Sequence, residues 1–212
     1  MKAAFFDAYG TLFDVHSAVR GRAAEIGPQA ERLSQLWRDK QLEYSWVHAL
    51  MEHYVDFQTL TERALRFAFL ESGVDAVHLT GLMRAYRTLD AYPEVSDYLA
   101  SLKTAGTVTG ILSNGSPDML EAAVASAGLG AHLDHVLSVD RIGTFKTRAE
   151  TYAMVCEATN LSPSQVSFYS SNRWDVAGAA RFGFETIWVN RTGRPDEYPD
   201  QPPGRVVRTL DG

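Results

Sequence analysis

The sequence predicts an α/β fold: a parallel sheet covered by helices on both faces, with an all-helical cap inserted after the first strand. Two observations lead to this prediction. Short apolar runs alternate with helical segments in the second part of the chain, an order typical of parallel sheets. The part before it has helical periodicity and no strand signal. We therefore expect a core formed by residues 1–15 and 93–212, and a helical cap formed by residues 16–92.

The elements follow in order along the chain. An apolar run at Ala3–Phe6 predicts the first strand, and the segment TLTERALRFAFLESG predicts a cap helix that ends at a glycine. Pro93 breaks the helical pattern, after which strands and helices alternate to form a Rossmann-like core. Strands are predicted in VTGILSN, HVLSV, QVSFYSS and ETIWVN, and helices at Pro117–Ala127, Arg148–Thr159 and Trp174–Phe182.

Composition limits the classes of function. The chain has 212 residues, of which 45% are hydrophobic and 22% charged, enough for one substantial core or for a core domain with a smaller attached one. A net charge of −6 without a basic stripe argues against nucleic acid or an anionic membrane as partner. Cys156 is the only cysteine, which excludes an intrachain disulfide, and we expect a cytoplasmic location.

Polar side chains follow the predicted strands at the points where those strands end. Because the carboxyl ends of parallel strands meet at one edge of a sheet, we expect these side chains to lie close together. Taken singly, each has a structural explanation, such as a turn, a helix cap or a solvated lysine. Together they form a set, two carboxylates with one lysine, that can present Asp7 as an ionised nucleophile. The set comprises Asp7, Thr11, Ser113, Asn114, Lys146, Ser170, Ser171, Asn172 and Asp175.

Four segments, DAYGTLFD, SNGS, FKT and SSNRWD, resemble the four motifs of the haloacid dehalogenase superfamily. With LWRDKQLEYSW in the cap and WVNRTG near the end, the chain resembles the L-2-haloacid dehalogenases of that superfamily. The resemblance implies an α/β core with a helical cap and a nucleophile at Asp7. It also implies hydrolysis of short-chain (S)-2-haloacids to (R)-2-hydroxyacids and halide through an aspartyl ester, without a metal or other cofactor. A homodimer is implied by the resemblance as well.

The same resemblance implies a role for each site residue. Thr11, Lys146 and Ser170 are expected to orient the nucleophile. Asp175, with Asn172 and Lys146 nearby, is expected to position or activate the hydrolytic water.

Binding residues are implied in the same way. Ser113 and the adjacent backbone N–H groups, that of Asn114 included, are expected to bind the substrate carboxylate. Arg38 is expected to accept the halide, with Asn172 as a second donor. The apolar walls are expected to come from Tyr9, Leu42, Phe57 and Trp174.

Three positions depart from the residues usual in the family: Thr147, Asp39 and Arg173. None of these departures removes a catalytic group.

Two alternatives can be weighed on the residues. A magnesium-dependent phosphatase of the same superfamily carries a second Asp two residues after the nucleophile and a pair of carboxylates in the fourth motif. Here Tyr9 and Ser171 stand at two of those positions, whereas a halide leaves without a proton or a metal. A catalytically silent binding protein would be expected to have lost the strand-end residues, and this chain retains them.

Overall fold

A computed structural model describes residues 2–212, in which six strands form one parallel sheet. The strands run in the order β3-β2-β1-β4-β5-β6. Their bounds are β1 Ala3–Phe6, β2 Val108–Ser113, β3 His135–Ser138, β4 Val166–Ser170, β5 Glu185–Val189 and β6 Arg205–Val207. The α-helices are α1 Ser17–Arg20, α2 Ala23–Ile26, α3 Ala30–Leu50, α4 Phe57–Ser72, α5 Leu79–Ala85, α6 Val95–Thr104, α7 Pro117–Ser126, α8 Ala149–Thr159 and α9 Arg173–Phe182.

The first strand lies in the interior of the sheet, between β2 and β4. Phe6, its last residue, is in register with Ile111 of β2 and Tyr169 of β4. The chain builds β2 and β3 on one side of β1 and then returns to build β4, β5 and β6 on the other. The order of the strands therefore reverses beside β1, the point at which open α/β sheets bind their ligands.

Apolar side chains fill both faces of the central strands. Every residue of β1 is fully buried, and the ring of Phe6 stacks on that of Tyr169 with centroids 4.7 Å apart. Gly110 of β2 leaves room for the ring of Phe5, which a Cβ at that position would overlap. This packing fixes β1 tightly and, with it, the residue that follows it.

The helical segment, residues 17–85, lies between β1 and β2 in the chain. Its two long helices, α3 and α4, pack against each other, and Trp37 Nε1 donates to the carbonyl of Thr61 at 2.8 Å. Asp56 caps the start of α4 by accepting from the Thr59 N–H, and Gly73 ends it in the left-handed conformation at φ +72°. The predicted glycine stop is thus confirmed. No helix among residues 2–212 is long and apolar enough to cross a membrane.

The predicted α/β architecture is confirmed, with two elements missed. Helix α6 follows Pro93, where the sequence was divided only into strands and three later helices. Strand β6 has three residues and joins the edge of the sheet beside β5. The predicted helices at 117–127, 148–159 and 174–182 agree with α7, α8 and α9 to within one residue at each end.

Candidate active site

Asp7 directly follows β1 and is almost completely buried. Its Oδ1 accepts a hydrogen bond from Lys146 Nζ at 3.1 Å. Its Oδ2 accepts two, from Asn172 Nδ2 at 2.7 Å and from Thr11 Oγ1 at 3.2 Å. Donors from three separate loops therefore hold the carboxylate in one orientation.

The ammonium group of Lys146 lies between two buried carboxylates. Nζ is 3.1 Å from Asp7 Oδ1 and 2.9 Å from Asp175 Oδ2, and 5.0 Å from the centre of the Phe168 ring. Burial lowers the pKa of Lys146, but the charges of Asp175 and Asp7 outweigh it and raise that pKa above its usual value. The lysine is therefore charged, as the bridge between the two acids requires.

Asp175 is the second carboxylate beside the Lys146 ammonium group, and its ionisation is costly. Burial raises the pKa of Asp175 to about 6, with Lys146 opposing this rise and the charge of Asp7 adding to it. Besides Lys146, a second donor holds this carboxylate: Tyr152, whose hydroxyl donates to Oδ1 at 2.8 Å. Burial and the nearby charge of Asp175 raise the pKa of Tyr152 well above its usual value, so its hydroxyl is a neutral donor.

Tyr152 is a site residue that the sequence analysis missed. It is fully buried on the first turns of α8, six residues after Lys146. A buried tyrosine needs a partner for its hydroxyl, and that need is the signal that could have drawn attention to it. Gly178 on α9 makes room for this contact, because a Cβ there would lie 2.5 Å from the Tyr152 hydroxyl oxygen.

The loop after β4 supports Asp7 through backbone contacts as well as through Asn172. Thr11 Oγ1 accepts from the Ser171 N–H at 2.8 Å while donating to Asp7, which ties the loops after β1 and β4 together. Ser170 Oγ accepts from the Asn172 N–H at 3.1 Å. The contact of Ser170 is thus with Asn172, whose side chain in turn donates to Asp7.

Arg38 reaches this group from α3 in the helical segment. Its NH2 donates to the carbonyl of Tyr9 at 3.1 Å and to Asn172 Oδ1 at 3.3 Å. Since Asn172 Nδ2 donates to Asp7 Oδ2, a single amide joins the carboxylate to the guanidinium. The structure therefore brings Arg38, Asn172 and Asp7 together.

The loop after β2 forms another side of the site. Ser113 and Asn114 are both buried. Ser113 Oγ accepts from the Gly115 N–H at 3.1 Å, and Asn114 Oδ1 accepts from the Lys146 N–H at 3.0 Å. The Asn114 side chain therefore links the loop after β2 to the loop that carries Lys146.

Of the four predicted wall residues, two meet directly. The rings of Tyr9 and Phe57 lie 6.0 Å apart, and both are buried. Trp174 packs edge-on against Trp46 of α3 at 5.5 Å. Leu42, half-buried, lies one helical turn after Arg38 on α3.

The departures Asp39 and Arg173 have local explanations. The Asp39 side chain is exposed and accepts from Gln35 Nε2 at 2.7 Å, on the solvent side of α3. Arg173 is buried, where its Nε donates to Asp196 at 2.6 Å and its NH2 to the carbonyl of Tyr198 at 2.6 Å. It ties the start of α9 to the segment that precedes β6.

The donor set is a poor one for Mg²⁺, which favours several oxygen ligands. Asp7 and Asp175 both accept from Lys146, and Tyr9 and Ser171 occupy the places where a phosphatase would supply further carboxylates. Across residues 2–212, no three His, Cys, Asp or Glu side chains are grouped so that they could hold a metal ion.

Comparison with known proteins gives consistent matches. The family model of the haloacid dehalogenase-like hydrolases matches residues 1–183. The (S)-2-haloacid dehalogenase 4A of Burkholderia cepacia is 45% identical over 217 residues, which cover 99% of this chain and 92% of the relative.

Solved structures agree with this chain along its length. A dehalogenase crystal structure with 45% identity gives a TM-score of 0.98 and covers 100% of this chain and 94% of its own. The L-2-haloacid dehalogenase of Xanthobacter autotrophicus, solved with chloropropionic acid covalently bound, is 38% identical. Its TM-score is 0.92, and the match covers 99% of this chain and 95% of that one.

Proposed function

Because this chain belongs to the (S)-2-haloacid dehalogenases of the haloacid dehalogenase-like hydrolases, we propose that it hydrolyses short-chain (S)-2-haloacids to (R)-2-hydroxyacids and halide. The observation that carries the proposal is the buried Asp7 carboxylate, held by Lys146, Thr11 and Asn172. A carboxylate is a weak nucleophile, so it needs a dry setting and a fixed direction of attack.

In the first step, Asp7 attacks C2 of the substrate from the side opposite the halogen. A bond forms between a carboxylate oxygen and C2 while the carbon–halogen bond breaks, and the halide leaves with the bonding electrons. The product is an aspartyl ester with C2 inverted. Because the halide is a stable anion, this step requires no general acid.

In the second step, water attacks the carbonyl carbon of the Asp7 ester. Asp175 takes a proton from this water, and Lys146 and Tyr152 hold the Asp175 carboxylate in place. Lys146 also stabilises the negative charge that develops on the ester oxygen. The tetrahedral intermediate then collapses: the acyl–oxygen bond breaks, the departing alkoxide takes the proton held by Asp175, and the second proton of the water is released to solvent. This restores the Asp7 and Asp175 carboxylates and frees the hydroxyacid, whose new oxygen comes from Asp7.

The leaving halide and the substrate carboxylate have separate binding partners. Arg38 and Asn172, which already contact each other across the site, receive the leaving halide. Ser113 and the backbone N–H of Asn114 bind the substrate carboxylate. Ser170 contributes by holding the backbone of Asn172.

We also propose that residues 16–92 act as a cap over the core formed by residues 1–15 and 93–212. Hydrogen bonds between the two parts support a cap that packs on the core: Tyr54 donates to Asp140 Oδ1 at 2.6 Å, and the Gln58 N–H to Ser116 Oγ at 3.2 Å. The walls that exclude water and shield the ester are Tyr9, Leu42, Phe57 and Trp174.

A magnesium-dependent phosphatase is the less well supported reading. Tyr9 stands where the general acid would be, and Ser171 where a metal-binding carboxylate would be. The relatives reported above are dehalogenases by name.

We propose a cytoplasmic location and a homodimer. The single cysteine, Cys156, is unpaired, which suits a reducing compartment. Val47, Leu50 and Met51 expose apolar side chains at the end of α3, a pattern typical of interaction surfaces. Sedimentation analysis of wild type and Leu50→Glu tests the dimer, since the charge should dissociate it.

A single turnover in heavy-oxygen water tests the mechanism. With enzyme in excess over (S)-2-chloropropionate, we expect mainly unlabelled product and one labelled oxygen in the peptide that contains Asp7. Asp7→Asn should abolish halide release, since the amide keeps the shape and loses the anion. Label in the product of the first turnover, with none in Asp7, would show direct attack by water. Release of phosphate from a generic phosphomonoester with Mg²⁺, and no halide release, would support the phosphatase instead.

A further inference from the structure

Gln41 lies one helical turn after Arg38 on α3 and is fully buried. Its Oε1 accepts from Arg38 NH1 at 2.8 Å and from the Tyr86 hydroxyl at 3.0 Å. Its Nε2 donates to Thr61 Oγ1 at 2.7 Å. A buried amide with partners on both sides is a fixed element, because loss of any partner leaves a buried polar group unpaired.

The direction of these hydrogen bonds is set at the far end of the network. Thr61 Oγ1 donates to the carbonyl of Phe57 at 2.6 Å, inside α4. With its proton committed there, the hydroxyl presents a lone pair to Gln41 Nε2. The amide oxygen of Gln41 must then face Arg38 and Tyr86.

The two terminal nitrogens of the Arg38 guanidinium have different partners. NH1 is held by Gln41, while NH2 faces the carbonyl of Tyr9 and Asn172 Oδ1 at the site. The buried acceptor is neutral, and the nearest acid along the helix, Asp39, is exposed and bonded to Gln35. A neutral acceptor orients Arg38 without cancelling its charge, whereas a buried carboxylate at the same place would form an ion pair with it.

We propose that Gln41 is a positioning residue that aims Arg38 at the leaving halide and keeps its positive charge available to that anion. The inference rests on the proposed function, in which Arg38 receives the halide. Chloride is a poorer leaving group than bromide, so its departure depends more on the guanidinium. Gln41 should therefore influence how strongly the rate depends on the halogen.

The test compares wild type with Gln41→Glu, which has nearly the same shape and an added charge. With (S)-2-chloropropionate, we expect the rate of halide release in a single turnover, which reports the first step alone, to fall about ten- to a hundredfold, the range that a hydrogen bond to a charged group supports. With (S)-2-bromopropionate the fall should be smaller, so the bromide-to-chloride ratio of the single-turnover rates rises. Bromide binding, measured by titration calorimetry, should weaken as well. Gln35→Glu places the same charge on the exposed side of α3 and should leave both readouts unchanged.

Thr61→Val covers the case in which Gln41→Glu fails to fold. Valine has the shape of threonine but cannot accept from Gln41, so the amide is free to turn; we expect the halogen ratio to shift in the same direction, and Thr61→Ser to restore it. An unchanged halogen ratio and bromide affinity in both Gln41→Glu and Thr61→Val would overturn the inference, even if their thermal stability fell. Wild type that binds bromide but releases no halide would refute the proposed function alone, and calorimetry would still test Gln41.

Discussion

Removal of the Tyr152 hydroxyl should shift the pH dependence of halide release. This hydroxyl donates to Asp175 Oδ1 at 2.8 Å, and the contact lowers the pKa of a carboxyl that burial raises. A hydrogen bond to a charged group contributes about 1.5–3 kcal/mol. At 1.36 kcal/mol per pKa unit, Tyr152→Phe should raise the pKa of Asp175 by about one to two units.

The direction of the effect follows from the role proposed for Asp175. The ionised carboxylate takes the proton of water, so activity is lost as the pH falls through its pKa. This pKa is about 6 while Asp7 is ionised, and it is lower in the ester, where the charge of Asp7 is absent. In Tyr152→Phe the acid limb of the kcat profile should therefore move up by about one to two pH units from its wild-type position. At high pH the activity should largely recover, since the carboxylate is then ionised again.

The assay is halide release at saturating substrate across the pH range, with urea unfolding as a parallel measurement. Tyr98→Phe is the matched control: it removes a hydroxyl that donates to the Tyr169 hydroxyl at 3.0 Å, outside the site. The control should leave the acid limb in place. If Tyr152→Phe loses folding stability but its acid limb coincides with that of wild type, the assignment of this limb to Asp175 is refuted.

Two further predictions concern the metal and the second step. Because Ser171 and Tyr9 replace carboxylates, halide release should survive exhaustive dialysis against EDTA; loss of activity that Mg²⁺ restores would contradict this. Asp175→Asn should still release about one equivalent of halide per site and then stop at the ester. Mass spectrometry of the intact chain should show the added acyl group, and continued turnover at the wild-type rate would rule out Asp175 as the base.

Much of the fold could be predicted because the strongest signals are local. The apolar run of β1, the glycine after α4 and the alternation of strands and helices are each contained in a short window. Helix α6 was missed although Val95, Leu99 and Leu102 have helical spacing and are buried. Strand β6 gives a weaker signal, since it has three residues, and pairing with β5 rather than an apolar pattern defines it.

Some residues of the site could be predicted from the sequence in the same way, and others could not. Residues at strand ends could be predicted to meet, because parallel strands place their carboxyl ends together, and Asp7, Lys146 and Asn172 do meet. Tyr152 and Gln41 could not be assigned, since helical spacing marks both only as positions on a helix. Their roles depend on which polar group lies opposite across the tertiary structure, and only the coordinates show this.

Asp175 shows what the site demands of the fold. Lys146 and Asp7 alone would make a balanced buried ion pair, and a second carboxylate on the same ammonium adds a charge that burial penalises, as the raised pKa of Asp175 shows. As the pH rises from the ordinary carboxyl pKa to about 6, the folded state therefore loses stability relative to the unfolded chain, and above that pH it holds Asp175 ionised at a cost that the unfolded chain does not bear. Stability does not explain why this acid is present. The second step does, because hydrolysis of the Asp7 ester needs a base that is near neutral in strength, fixed in place and shielded from bulk water. The contacts from Tyr152 and Lys146 then serve to keep a costly group folded and ionised where the water must react.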